Sequence, residues 1–185
     1  FGIPKESLCK FSILDDVKTE IRSVSTNNFI RIYALFRKNK SGKYWYDGLK
    51  SGYYNSSIRQ IIIDHNSKYG LIQICYSDGV DAENWKNWII DGKLEYVLME
   101  ELKKLFSKRC IEKPSKLMYQ YWWHGTHYTY PTYNSNEIYK KMLNPIENIY
   151  IIGECYSKYQ GWIEGALQTA EDCSKIILEN NFENK

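Results

Sequence analysis

The chain has 185 residues, 43% hydrophobic and 25% charged, with a net charge of +3 at neutral pH. That balance excludes a disordered polar chain, and so small a charge gives no reason to expect a nucleic-acid partner. No apolar run approaches the roughly 20 residues that span a bilayer, and the length suits one good core or one domain with part of another. Five cysteines (Cys9, Cys75, Cys110, Cys155 and Cys173) are odd in number and scattered, without a C-x-x-C pair. Neither a disulfide framework nor a metal site is expected from them, and a reducing, cytoplasmic setting is favoured.

Residues 1–22 are mixed, with a loosely amphipathic stretch over 11–22. Residues 29–36, Phe-Ile-Arg-Ile-Tyr-Ala-Leu-Phe, alternate side chains and read as a strand. A turn over 38–42 leads to the aromatic run Tyr44-Trp45-Tyr46, read as a strand start or an aromatic edge. Asp47-Gly48 and Ser51-Gly52 punctuate a loop. Two strands, 58–63 and 70–76, separated by a turn at 66–69, read as an antiparallel hairpin. Ala82, Trp85, Trp88 and Ile89 recur at helical spacing over 81–91, and Leu94, Val97, Leu98, Leu102, Leu105 and Phe106 mark a second helix. Lys103, Lys104, Lys108 and Arg109 are read as a solvated helix face. After Pro114, residues 116–122 alternate again as a strand, and 123–133 form a tyrosine-rich aromatic loop. A polar stretch and a link with Pro145 follow.

Ile149, Tyr150, Ile151 and Ile152 form an uninterrupted β-prone run that fits a strand buried on both faces. Gly153 ends it, residues 154–160 loop away, and Gly161 opens a helix. The apolar positions of that helix are Ile163, Ala166, Leu167, Ala170, Cys173, Ile176 and Ile177. A strand, a glycine-bounded loop and a helix N-terminus suit an electron-rich ligand, because first-turn N–H groups and the positive dipole end face the loop. An ordinary strand-to-helix crossover reads equally well from these features.

The wording of residues 148–173 tips this balance. It resembles the C-terminal signature of the flavin-containing amine oxidases, especially the L-amino-acid oxidase branch. Gly153-Glu154 matches the Gly-Glu pair that closes the last strand of that family's FAD domain. Gly161-Trp162-Ile163-Glu164-Gly165-Ala166 matches the segment that opens the last helix against the isoalloxazine ring. The resemblance implies an α+β fold: an antiparallel substrate-domain sheet with helices, plus the C-terminal strand-helix return of a Rossmann-like FAD-binding domain. On that reading residues 1–120 are the substrate-type domain, 121–147 an aromatic loop and link, and 148–185 the flavin-domain segment. The fingerprint G-x-G-x-x-G after a first strand is absent from these residues. The phosphate half of an FAD site would therefore come from an N-terminal FAD-binding part of the same or a longer chain.

The implied reaction oxidises a C–N bond of a small amine or amino acid by hydride transfer to FAD, with dioxygen as acceptor. Implied flavin contacts are Gly153, Glu154, Gly161, Trp162 and Ile163, the last through its backbone N–H. Trp162 and Tyr128 would wall the substrate pocket, although a large aromatic at this place also reads as a packing residue. In the monoamine oxidase branch a cysteine near the aromatic segment tethers the flavin, and His127 stands at the matching position. Arg31 is implied as the catalytic-site residue near flavin N5. It stands where the family carries lysine in a Val-Ile-Lys pattern, and it suits either a bound water or a substrate carboxylate. Arg59 is a second candidate for a carboxylate, or a solvated strand-edge charge. The alternative to an oxidase is a non-catalytic module derived from the same fold that no longer binds FAD, and the missing fingerprint and the arginine at position 31 favour it.

Overall fold

A computed structural model describes residues 17–64, 66–67 and 69–183. Cys9 and residues 11–16 of the loosely amphipathic stretch lie outside them. The chain is a mixed helical and antiparallel-sheet protein, hence α+β, and it divides into two compact units. One comprises the described residues of 1–26 and 126–185, the other those of 27–125.

Most of the three-stranded sheet lies in the second unit, while residues 24–26 and 126–129 at its strand ends fall in the first. Strand β1 (Val24–Leu35) lies in the order β4-β1-β5 between β4 (Leu71–Asp78) and β5 (Lys116–Thr129). β1 and β4 run antiparallel with Phe29 opposite Asp78 and Arg31 opposite Tyr76, and the register slips between Ile32 and Tyr33. Side chains alternate across a strand, so Ile30, Ile32 and Ala34 go into the core while Phe29, Arg31 and Tyr33 take the other face. Helices α2 (Gly79–Ile90) and α3 (Leu94–Leu105) complete the unit. Their Ala82, Trp85, Leu98 and Leu102 join Ile30, Ile32, Ile72 and Ile74 in one core cluster. The two helices expected from spacing are therefore both present, with nearly the expected bounds.

Three expectations for this unit are corrected. The first arm of the hairpin shrinks to β3 (Gln60–Ile61), which pairs with β2 (Gly52–Tyr53), and a single antiparallel bridge joins Ile62 to Gln73. Arg59 breaks the run by adopting φ 57°, and the Ser57 carbonyl turns instead to accept from the Ser77 hydroxyl (2.5 Å) and the Trp85 indole N–H (2.8 Å). Tyr44-Trp45-Tyr46 opens a turn rather than a strand, with Trp45 and Tyr46 buried. Arg109 is no part of a solvated helix face. Beyond the end of α3, its guanidinium donates to the carbonyls of Trp45 (2.7 Å) and Asp47 (3.0 Å) and closes that turn.

Residues 123–129, expected as loop, continue β5 to Thr129. In the first unit, helices α1 (Lys18–Arg22), α4 (Ser135–Leu143) and α5 (Ile163–Glu183) carry the structure. α4 was not anticipated. Asn134 caps it by accepting from the N–H groups of Asn136 and Glu137, the physical basis of an N-cap. Its Ile138 and Met142 pack with Val17 and Ile21, and Tyr139 and Leu143 with Cys173.

The strand expected at 149–152 does not form. Only a bridge from Ile146 to Ile149 is present, and Ile149 and Ile152 are 47% and 56% exposed. A strand buried on both faces needs neighbours on both edges to take its N–H and C=O groups. The described residues supply little beyond the Ile151 N–H bond to the Leu143 carbonyl (3.3 Å). No helix among the described residues is long and apolar enough to cross a membrane.

Candidate functional site

Residues 153–162 form a loop held by its own hydrogen bonds and by its neighbours in the first unit. Its entry is tied to α5, where the Thr169 hydroxyl oxygen accepts the Gly153 N–H at 3.0 Å. The Ser157 N–H and hydroxyl both donate to the Glu154 carbonyl, at 3.0 and 2.8 Å, and the Tyr159 N–H donates to the Ser157 hydroxyl at 3.1 Å. The Gln160 amide fastens the loop to the end of β5. Its oxygen accepts the Thr129 N–H at 2.8 Å, and its nitrogen donates to the Cys155 carbonyl. Gly161 sits at φ +79°, a left-handed conformation that favours glycine, and there the chain turns into α5.

Gly165 is required by close approach. A Cβ on it would stand 2.1 Å from the Ser157 hydroxyl oxygen and 2.5 Å from the Tyr159 carbonyl. Gly165→Ala is therefore expected to destabilise the first unit by about 1–3 kcal/mol, the usual cost of overpacking. It should also expose residues 153–162 to proteolysis. Thermal denaturation with limited proteolysis checks this, and a variant as stable and as resistant as the parent would refute the packing role.

Glu154 is the centre of the arrangement. One carboxylate oxygen pairs with His127 Nδ1, and the other accepts the Gly161 N–H at 2.6 Å. The His127 ring is pushed from its ordinary 6.5 up to about 10, by its hydrogen bond with Cys155 first and with Glu154 second, against the opposing effect of burial. Burial alone would raise Glu154. The His127 hydrogen bond and the Gly161 N–H together outweigh it and hold the carboxyl below its usual range. The result at neutral pH is an imidazolium–carboxylate pair, each partner about three-quarters shielded.

Beside this clasp the helix presents an open platform. Trp162 and Ile163 are 67% and 76% exposed. Among the described residues no acceptor takes the Ile163 or Glu164 N–H, as expected of a first helical turn. The buried positions of α5 are Gly165, Thr169 and Cys173, so Ile163 and the 65% exposed Leu167 do not enter the core as their spacing implied. Tyr128, also partly exposed, sets its ring against Tyr130 at 5.6 Å.

The site residues expected from the sequence thus fall into two groups. Gly153, Glu154, Gly161, Trp162 and Ile163 share one loop and helix start, in the same unit as Tyr128. Arg31 lies on β1 in the other unit. Sequence reasoning treated His127 and Glu154 separately and passed over Thr129, Ser157, Gln160 and Thr169. Nothing in the local spacing joins residues 27 positions apart, and polar loop side chains carry no periodic signal.

A family model described as flavin containing amine oxidoreductase matches residues 12–178. An uncharacterized protein of Acanthamoeba polyphaga mimivirus is 27% identical over 118 residues, covering 54% of this chain and 23% of the viral protein. The match thus takes in less than a quarter of the length of that relative.

Proposed function

Because the chain belongs to the family of flavin-containing amine oxidoreductases, we propose that it is the C-terminal part of an FAD-dependent amine or amino-acid oxidase. In this reading residues 148–185 close a Rossmann-like FAD-binding domain whose phosphate-binding half is supplied by chain outside these residues. The observation that carries the reading is the exposed Trp162-Ile163 platform beside two uncommitted backbone N–H groups. Such donors at the positive end of a helix suit the electron-rich edge of a flavin ring, so the residues present fit the group.

When bound, the flavin supplies the two-electron acceptor for oxidation of a C–N bond, with dioxygen as the final acceptor. The chain's own residues bind and orient. The N–H groups of Ile163 and Glu164, with the α5 dipole, hold negative charge at the ring edge. Trp162 offers a flat apolar wall to the ring and the substrate. Glu154 fixes the loop through His127 and Gly161, and a carboxylate retains acceptor sites for a hydroxyl of the cofactor chain. Tyr128 contributes a second aromatic surface to the pocket.

Trp162→Ala tests this directly. The exposed position predicts a change in stability within about 0.5 kcal/mol, while bound flavin per protein, read from visible absorbance, falls or KM rises. Equal flavin content and unchanged kinetics would remove Trp162 from the site. The parent protein of natural length, purified from its source, is expected to show the absorbance of oxidised flavin. A colourless protein would favour a module derived from the fold that binds without catalysis.

A further inference from the structure

Cys155 follows Glu154 in the loop of the first unit, half-buried and free of any disulfide. Its side chain hydrogen-bonds to the His127 ring, which Glu154 grips at Nδ1. The backbone that carries the thiol is fixed on both sides. The Gln160 amide donates to the Cys155 carbonyl, and the Ser157 N–H and hydroxyl donate to the Glu154 carbonyl.

A nucleophile in reach of an imidazole that a carboxylate orients is the arrangement by which proteins activate sulfur. The other thiols of the described residues stand differently. Cys75 and Cys173 are fully buried, with their sulfurs turned to the Ser77 hydroxyl oxygen at 3.6 Å and the Leu143 carbonyl at 3.3 Å. Cys110 is exposed beyond the end of α3. Among the described cysteines, Cys155 is the one that combines access with an imidazole partner.

We propose that Cys155 is a modification site for hydrogen peroxide, oxidised to a sulfenic acid with His127 as proton donor. The sulfur attacks one peroxide oxygen, so that an S–O bond forms as the O–O bond breaks. Sulfur gives up two electrons and the peroxide takes them. The departing hydroxide leaves as water with a proton from the imidazolium, and the proton of the thiol restores the ring. Glu154 acts through the ring, as a positioning residue. Peroxide is small and uncharged, which suits a half-buried sulfur. The thiol site stands on the geometry of this loop alone. Its source of oxidant rests on the oxidase reading above, in which two-electron reduction of dioxygen yields peroxide.

Peptide-resolved mass spectrometry tests the site on the protein of natural length, treated with hydrogen peroxide and trapped with dimedone. Cys155 is expected to be trapped about 10-fold faster than Cys110 in the same sample, although Cys110 is the more exposed. His127→Gln should slow trapping at Cys155 about 100-fold, as expected when a general acid is lost, and leave Cys110 unchanged. Cys75 and Cys173 report the fold, because they stay untrapped unless the chain opens. Should they be trapped in His127→Gln, His127→Asn takes its place, and the ratio of Cys155 to Cys110 in the parent needs no variant.

Equal trapping of Cys155 and Cys110 in the parent would overturn the proposal. So would an unchanged rate at Cys155 in His127→Gln while Cys75 and Cys173 stay untrapped. The visible spectrum of the same samples separates the two readings. A colourless protein with a fast, His127-dependent Cys155 defeats the oxidase and keeps the thiol site. A flavin-loaded protein with Cys155 no faster than Cys110 does the reverse.

Discussion

Glu154→Gln leaves an acceptor for the Gly161 N–H but strips His127 of its counter-charge, and the first unit loses about 2 kcal/mol, as expected when one partner of a shielded charged hydrogen bond is removed. For a chain of this size that is a fall of roughly 4–8 °C in Tm. The pH dependence identifies the cause. His127 rises from 6.5 to about 10 on folding, so its contribution is complete below about pH 6.5 and is lost as pH climbs toward 10. Glu154 is held below its usual range, so its contribution is present above the ordinary carboxylate pKa and is lost as pH falls through the lowered value. The stability difference between parent and Glu154→Gln should therefore be greatest near pH 5–6.5 and shrink on both sides. Thermal denaturation of both proteins from pH 4 to about 10 measures it. A difference that stays flat with pH would mean that the pair contributes nothing as an ion pair.

Trp85→Ala is expected to cost more than any other single change considered, about 3–5 kcal/mol. Trp85 is fully buried in the core cluster of the second unit, meets Trp88 edge to face at 5.0 Å and donates to the Ser57 carbonyl. Truncation leaves a large cavity within this core cluster, and a close-packed interior cannot close it. Trp85→Phe separates packing from hydrogen bonding. It keeps most of the ring, and the Ser57 carbonyl retains the Ser77 hydroxyl, so the cost should drop to about 1–2 kcal/mol. Urea unfolding of the three proteins decides. A loss under about 1 kcal/mol for the alanine variant would show that the indole is not the keystone of this core.

The parts of the fold that the sequence announced are those whose stabilising contacts are local or periodic. β1, α2, α3 and the beginning of β5 show their period in the chain. So did α4, where Asn134, Glu137, Ile138 and Met142 carry a cap and a stripe, but the polar opening of the helix masked them. The segment 149–152 reads as a strand because its side chains are β-prone, yet a strand exists only through neighbours, and residue choice says nothing about whether those neighbours are present. Arg59 illustrates the converse: a single left-handed residue undid an otherwise convincing hairpin arm. At the site, Gly153-Glu154 and Gly161-Trp162 were visible as motifs, whereas the pairing of Glu154 with His127 arises from the return of the chain. Arg31 was visible as an unexpected residue type.

β5 has a further consequence. It is 14 residues long and stands at the outer side of its three-stranded sheet, with Tyr119, Trp122 and Trp123 well exposed along it. A long, aromatic, uncovered strand is a template for any passing extended chain. Made by itself at high concentration, this polypeptide would recruit its own copies onto that strand, and its yield in soluble form would depend on keeping the strand covered.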